Sequence, residues 1–282
     1  MILDMSFIPR EQMIRSIVEK TVIALAQFIC TGVMKELEPI RLARAAHVLI
    51  LSGCSTSGNS LWLEIAQYVA LKQQNDGGWT DTEETIWSLG YLSNFPTAYR
   101  NNLEQGKKWL TSVRLSTGAW GRTNRDQPRI PITALVTQIV PDMANRKTPI
   151  WLANEWKADL NRMTPLTYKG AFFLLGQCGE RTTIDERLTK RTIRHLVQEQ
   201  NDDGGFAPWK AHPIGSDPWT TGIVLWGLAS SGKLAPKTTI KRATQWLEST
   251  QLPNGLWPYH YLDDGTAMAL IGLKSALGVV RN

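Results

Sequence analysis

One short pattern recurs along this chain and limits its fold more than any other feature. It is the end of an amphipathic run, a polar turn with glycine, then an aromatic residue. The copies are Gln73-Gln74-Asn75-Asp76-Gly77-Gly78-Trp79, Leu115-Ser116-Thr117-Gly118-Ala119-Trp120, Gln200-Asn201-Asp202-Asp203-Gly204-Gly205-Phe206 and Gln251-Leu252-Pro253-Asn254-Gly255-Leu256-Trp257. Aligned on Gly78, Gly118, Gly205 and Gly255, they lie 40, 87 and 50 residues apart, and 87 is two units with one marker missing. A period of about 40–50 residues means stacked supersecondary units that bury a shared core.

Each unit reads as helical. After each aromatic a run is apolar on nearly all sides, at 85–92, 133–140, 221–228 and 266–273, as a doubly buried helix requires. Before each glycine the pattern is amphipathic, at 64–73, 102–113, 184–200 and 236–250, with the period of a half-exposed helix. The unit without a marker reads as 149–162 followed by 165–177, and a further pair as 10–34 followed by 39–53. Six outer and six inner helices account for nearly the whole chain. The expected fold is all-α, a six-hairpin (α/α)6 barrel formed as a single domain over residues 1–282, with no linker. The longest loops, 121–129 and 207–216, both precede inner helices, on the face where function is expected.

Composition excludes other classes. Hydrophobic residues are 43% and charged residues 20%, which excludes a mainly disordered chain. Cys30, Cys54 and Cys178 are too few and too scattered for a disulfide framework, so a reducing, cytoplasmic setting is expected. The apolar stretch at 21–34 is broken by Gln27 and is too short to span a bilayer; no secretory signal is visible at the N-terminus. The net charge of +6 is spread along the chain, which argues against nucleic-acid binding.

The last unit carries a recognisable signature. Lys241-Arg242-Ala243-Thr244-Gln245-Trp246-Leu247-Glu248-Ser249-Thr250-Gln251, followed by Gly255-Leu256-Trp257, resembles the QW repeat of squalene and oxidosqualene cyclases. Lys107-Lys108-Trp109-Leu110 with Gly118-Ala119-Trp120 is a weaker copy. The resemblance covers the repeat units. It implies the α/α-barrel superfamily of class II terpene cyclases, protein prenyltransferase β-subunits and complement-type thioester domains. The motif itself reads as a structural staple. Its Gln can bond the free carbonyls of its own helix end or the N–H groups of the next helix, and its Trp can cover the junction between hairpins.

Chemistry is expected at Asp81-Thr82-Glu83-Glu84-Thr85, directly after Gly77-Gly78-Trp79. This resembles the D-x-D-D-T acid motif of class II terpene cyclases, with Glu at two Asp positions. The resemblance implies Glu83 as the proton donor to an isoprenoid, flanked by Asp81 and Glu84. An alkene is a weak base, so its acid must be neutral and partly desolvated, and neighbouring carboxylates help to keep it so. Aromatic faces would stabilise the cations, and Trp87, Tyr168, Trp219, Trp226, Tyr259 and Tyr261 are the candidates. Asp263 and Asp264 are further acid candidates. Arg41, Arg44 and His47 share one broad face of the first inner helix, which reads either as a site for a diphosphate, with Mg2+ if the substrate is one, or equally as a solvated or salt-bridged face. The competing reading of the motif is a capping box formed by Asp81 and Glu84.

Other patterns are weaker. The prenyltransferase reading needs zinc and an α-helical partner chain, and no Cys lies near Asp217, Asp264 or His260. Cys178-Gly179-Glu180 resembles a thioester motif, but Arg181 stands where the acyl-donating Gln belongs. The stripe of Arg187, Lys190, Arg191 and Arg194 reads as a solvated face, or as a contact with an acidic partner or a membrane surface. The expected function is that of a class II terpene cyclase-like enzyme of isomerase or lyase type. The alternative is a non-catalytic module that binds a peptide or protein through its loop-bearing end, and a second barrel could also arrive as a partner.

Overall fold

The structure is a computed structural model that describes residues 10–34, 37–56, 60–177 and 185–281. Cys178 and Arg181 lie outside them. Among the described residues the fold is all-α, with twelve α-helices and no strand. In order they are α1 (Arg10–Met34), α2 (Pro39–Leu51), α3 (Ser60–Leu71), α4 (Thr82–Leu92), α5 (Arg100–Ser112), α6 (Ile130–Ile139), α7 (Lys147–Asp159), α8 (Thr167–Gly176), α9 (Glu186–Glu199), α10 (Pro218–Ser230), α11 (Lys237–Thr250) and α12 (Leu262–Arg281). No described helix is long and apolar enough to cross a membrane.

Burial alternates as the hydrophobic pattern requires. Almost every residue of α4, α8 and α10 is buried, whereas α5 buries only Gly106 and Leu110. The even-numbered helices touch in sequence, from α2 through α4, α6, α8 and α10 to α12, and α12 returns to α2. The odd-numbered helices flank them. Small residues set the tightest seam: a Cβ on Gly222 would come within 2.2 Å of the Met268 carbonyl oxygen, and one on Gly272 within 2.4 Å of the Gly222 oxygen.

The repeated turn is one hydrogen-bonded device. Its left-handed glycine is Gly77, Gly118, Gly204 or Gly255, with φ between 84° and 95°. The two Gly-Gly copies thus align on Gly77 and Gly204, one residue earlier than the spacing of the sequence placed them, because only the first glycine of each pair takes the conformation that excludes other residues. The indole Nε1 of Trp79, Trp120 and Trp257 donates to the carbonyl ten residues upstream, on Val69, Leu110 and Leu247. The backbone N–H of the same aromatic, and of Phe206, donates to a threonine Oγ1 of the next buried helix: Thr85, Thr133, Thr221 or Thr266.

The Gln of the motif acts differently from expectation. Gln73 Nε2 donates to Gly77 O within the turn and to Asn102 O on the next flanking helix, and Gln200 repeats this with Gly204 O and Thr239 O. It satisfies carbonyls of the turn and of the following helix, where helix-end carbonyls and N–H groups were expected. In the second copy Arg114 takes its place, donating to Met143 O.

Candidate functional site

The repeat also aims one side chain per unit. The residue two before the anchoring threonine is Glu83, Pro131, Trp219 or Asp264, and all four line a cavity at the N-terminal ends of the buried helices. Two residues after the N-caps of α2 and α8, Glu38 and Leu166, come Ile40 and Tyr168, which line it as well. The two long loops form its rim. Arg122 O accepts the first N–H of α4, from Thr82, and Pro208 O accepts that of α8, from Thr167.

The cavity has two compartments that share Glu83, Arg122, Trp219 and Tyr259. The larger, about 900 Å3, has charged walls that include Arg41, Arg44, Asp81, Glu84 and Asp264. The smaller, about 310 Å3, is walled by Ile132, Leu135, Tyr168, Phe172, Trp219 and Tyr259. Trp219 is the hub of its aromatic wall. It meets Tyr168 edge-on at 5.9 Å and stacks on Tyr259 at 6.0 Å, the two arrangements that aromatic pairs prefer.

The acid motif divides its labour. Asp81 is the N-cap of α4: its Oδ1 accepts the Glu84 N–H at 2.9 Å, and its Oδ2 pairs with Arg122 Nε at 2.8 Å. Glu84 is buried and accepts the Thr80 N–H at 3.2 Å. Asp81 therefore caps α4, while Glu84 bonds the residue before the cap, so only one half of the expected capping box is formed. Among the described residues the Glu83 side chain has no hydrogen bond or ion pair. It lies where the two compartments meet. Burial pushes its pKa upward, Arg44 and Arg122 oppose that rise, and Asp81 and Asp264 reinforce it.

The other acids are held. Asp263 is buried under Arg41, whose Nε and Nη2 reach it at 3.1 and 2.5 Å. Arg44 pairs with Asp264 at 3.1 Å and with Asp263 at 3.6 Å. Burial pushes the Asp264 carboxyl above its usual range, with Arg44 opposing. Arg41 also lies over the Tyr261 ring, 4.2 Å from its centre. Both guanidinium charges are therefore already matched.

The structure thus gathers Glu83, Asp81, Glu84, Asp264, Arg41, Arg44, Trp219, Tyr259 and Tyr261 around the larger compartment, and Tyr168 in the smaller. It places Trp87 and Trp226 in the core, 1% and 8% exposed, lining neither compartment. Trp87 meets His47 edge-on, and burial pushes the His47 imidazole down to about 4. Ile40, Pro131, Ile132, Leu135, Arg122 and Arg129 line the cavity without having been singled out from sequence; their signal is position relative to the helix cap or the anchoring threonine. Among the described residues no three of His, Cys, Asp and Glu gather as a metal site.

No protein-family model matches the chain. The drimenyl diphosphate synthase of Streptomyces showdoensis is 23% identical over 215 residues, covering 68% of this chain and 40% of that protein. The chain therefore spans less than half the length of the curated relative it matches. Among solved structures, a variant of the type II terpene cyclase MstE from Scytonema, in complex with geranylgeranyl dihydroxybenzoate, superposes with a TM-score of 0.73 at 12% identity, covering 93% of this chain and 98% of that one. A protein from Actinoplanes gives 0.72 at 15%, covering 93% and 99%. The ent-copalyl diphosphate synthase of Streptomyces platensis gives 0.61 at 16%, covering 86% and 50%. Buried helices, repeated turns and these superpositions agree on one conclusion: the chain has a class II terpene cyclase-like fold.

Proposed function

We propose that this chain is a class II terpene cyclase-like enzyme that cyclises a linear isoprenoid by protonation, and that residues 1–282 form a single (α/α)6 toroid of six helical hairpins. The closed order of helix contacts supports the toroid. One observation carries the activity: Glu83 is the acid of its motif that the helix start leaves unused, and it faces an aromatic-walled cavity. In the reaction the Glu83 O–H bond breaks and its proton goes to a terminal alkene carbon. The alkene's electron pair forms the new C–H bond, and the resulting cation closes a ring. Trp219, Tyr259 and Tyr168 turn π faces toward the positive charge. Loss of a proton or capture of water ends the sequence. Asp81 and Glu84 hold the first turn of α4 so that Glu83 stays in place. The extent shared with the Scytonema cyclase, which is solved with its substrate, supports a site built within one barrel.

The test is product analysis by mass spectrometry with geranyl, farnesyl and geranylgeranyl diphosphates and squalene, beside Glu83→Gln. A cyclised product that vanishes in the folded variant supports the reading. A product that persists removes Glu83 from the chemistry. A second reading, a module that binds a peptide through its loop-bearing end, draws on a further cavity of about 650 Å3 between Pro208–Pro218 and Pro258–His260, with Ile214 exposed beside it. Absence of any product, with a captured partner lost on changing Ile214, would favour it.

A further inference from the structure

The two compartments that meet at Glu83 differ in what they can hold. The larger carries Arg41, Arg44, Asp81, Glu84 and Asp264 beside Ile40, Trp219, Tyr259 and Tyr261, so charged groups interrupt its apolar surface. Hydrocarbon laid against those charged groups would strip their water without replacing it, which is costly for charged side chains. The smaller compartment has mainly aliphatic and aromatic walls, with Glu83, Arg122 and Arg129 as the charged part of its lining. Resting on the cyclase reading above, we propose that the smaller compartment measures its substrate, admitting a folded linear isoprenoid of about fifteen carbons, with Leu135 and Phe172 as the wall that stops longer chains.

Volume carries the argument. An apolar protein cavity of about 150 Å3 takes one benzene ring. At that occupancy the 310 Å3 compartment takes about twelve carbons. At the closer packing of a protein interior it takes about fifteen. A chain one isoprene unit longer exceeds this, and squalene exceeds it about twofold.

The wall has little room to yield. Ile132 and Leu135 stand on α6 and Phe172 on α8, all three at most 5% exposed, and these two helices pack directly on each other. Phe172 is also wedged against Trp219, their ring centres 6.1 Å apart. On α8 and α6 the helices meet through small residues: a Cβ on Gly176 would come within 3.4 Å of the Ala134 Cβ. A close-packed wall of this kind resists the shift a longer chain would need. A fifteen-carbon occupant has to fold to fit this compartment, and Glu83 is part of the lining it would meet.

The experiment compares C10, C15 and C20 isoprenoids, each as the diphosphate and as the free alcohol, together with squalene, so that head group and length are read separately. The expected result is that kcat/KM for the C15 chain exceeds that for C20 and squalene by at least about tenfold. Leu135→Ala and Phe172→Leu should then shift the C20-to-C15 ratio upward by about tenfold, and Ile132→Phe should shift preference toward C10. Circular dichroism identifies the variants that fold. Wild-type preference for C20 or squalene overturns the inference, as does an unchanged ratio in the folded wall variants. Calorimetric binding of geraniol, farnesol and geranylgeraniol to Glu83→Gln separates this inference from the cyclase reading. Selective farnesol binding without turnover in the wild type supports the length limit and defeats the proton-donor assignment. Equal binding of all three lengths overturns the length limit.

Discussion

Helices α4 and α10 begin in the same way and end up with different duties. Asp81 and Asp217 are both N-caps, each accepting an N–H three residues on. Thr85 and Thr221, one residue further, both anchor the aromatic of the preceding turn. Two residues after each cap comes the side chain aimed into the cavity. In α4 it is Glu83 and in α10 it is Trp219. The scaffold is thus common to both units, and the difference lies in what occupies one position. A carboxylate at a helix start is ordinary there, since it complements the helix dipole. A carboxylate beyond the cap with no partner among the described residues needs another explanation.

The largest expected break in this comparison is in rate. Glu83→Gln should lower product formation by about 10^3-fold or more, measured by single-turnover product analysis. Next, Thr85→Val and Thr221→Val should each cost about 2 kcal/mol, because each leaves a buried aromatic N–H without an acceptor. Chemical denaturation should find the two losses equal, and a clear inequality would show that the units are not equivalent. A third effect depends on pH. The folded-state pKa of Glu83 lies above its unfolded value, so the fold binds this proton more tightly. Stability is therefore greatest below the unfolded pKa and is lost as pH rises through the folded one. Glu83→Gln should melt higher than wild type at neutral pH and at the same temperature near pH 3, and wild-type turnover should fall as pH rises through the same window. The smallest effect is at the cap: Asp81→Asn keeps the N–H acceptor and loses only the surface pairing with Arg122, so it should cost about 0.5 kcal/mol.

Much of the architecture was legible because each buried helix is apolar on all sides and each turn repeats its polar markers. The sequence ranges 85–92 and 221–228 fall inside α4 and α10. The one-residue slip at Gly77 and Gly204 shows the limit: two adjacent glycines look alike until one of them takes a positive φ. In the site, Asp81-x-Glu83-Glu84 was visible as a cluster, but only geometry separates the two acids that accept backbone N–H groups from Glu83, whose side chain has no partner among the described residues. Trp87 and Trp226 were chosen by residue type, and type does not report depth along a helix. Trp87 lies one turn beyond Glu83, below the cavity floor. Leu135 and Ile132 look like any core aliphatic residues, and nothing in their identity says that one of their neighbours is empty space.

The Gln strut between neighbouring units has a consequence for the order in which the molecule assembles. Gln73 reaches Asn102 across 29 residues, and Gln200 reaches Thr239 across 39. The last copy, Gln251, reaches Thr21 of α1 across 230 residues. The three contacts are chemically similar, but in an unfolded chain the last closes a loop about eightfold longer than the first, which costs about 2 kcal/mol more in chain entropy. The two short struts can form locally and early, whereas the one that joins the final hairpin to the first has to wait for the units between them. A ring built from like parts therefore has a weakest link fixed by chain connectivity alone, at the seam where α1 meets the end of α11.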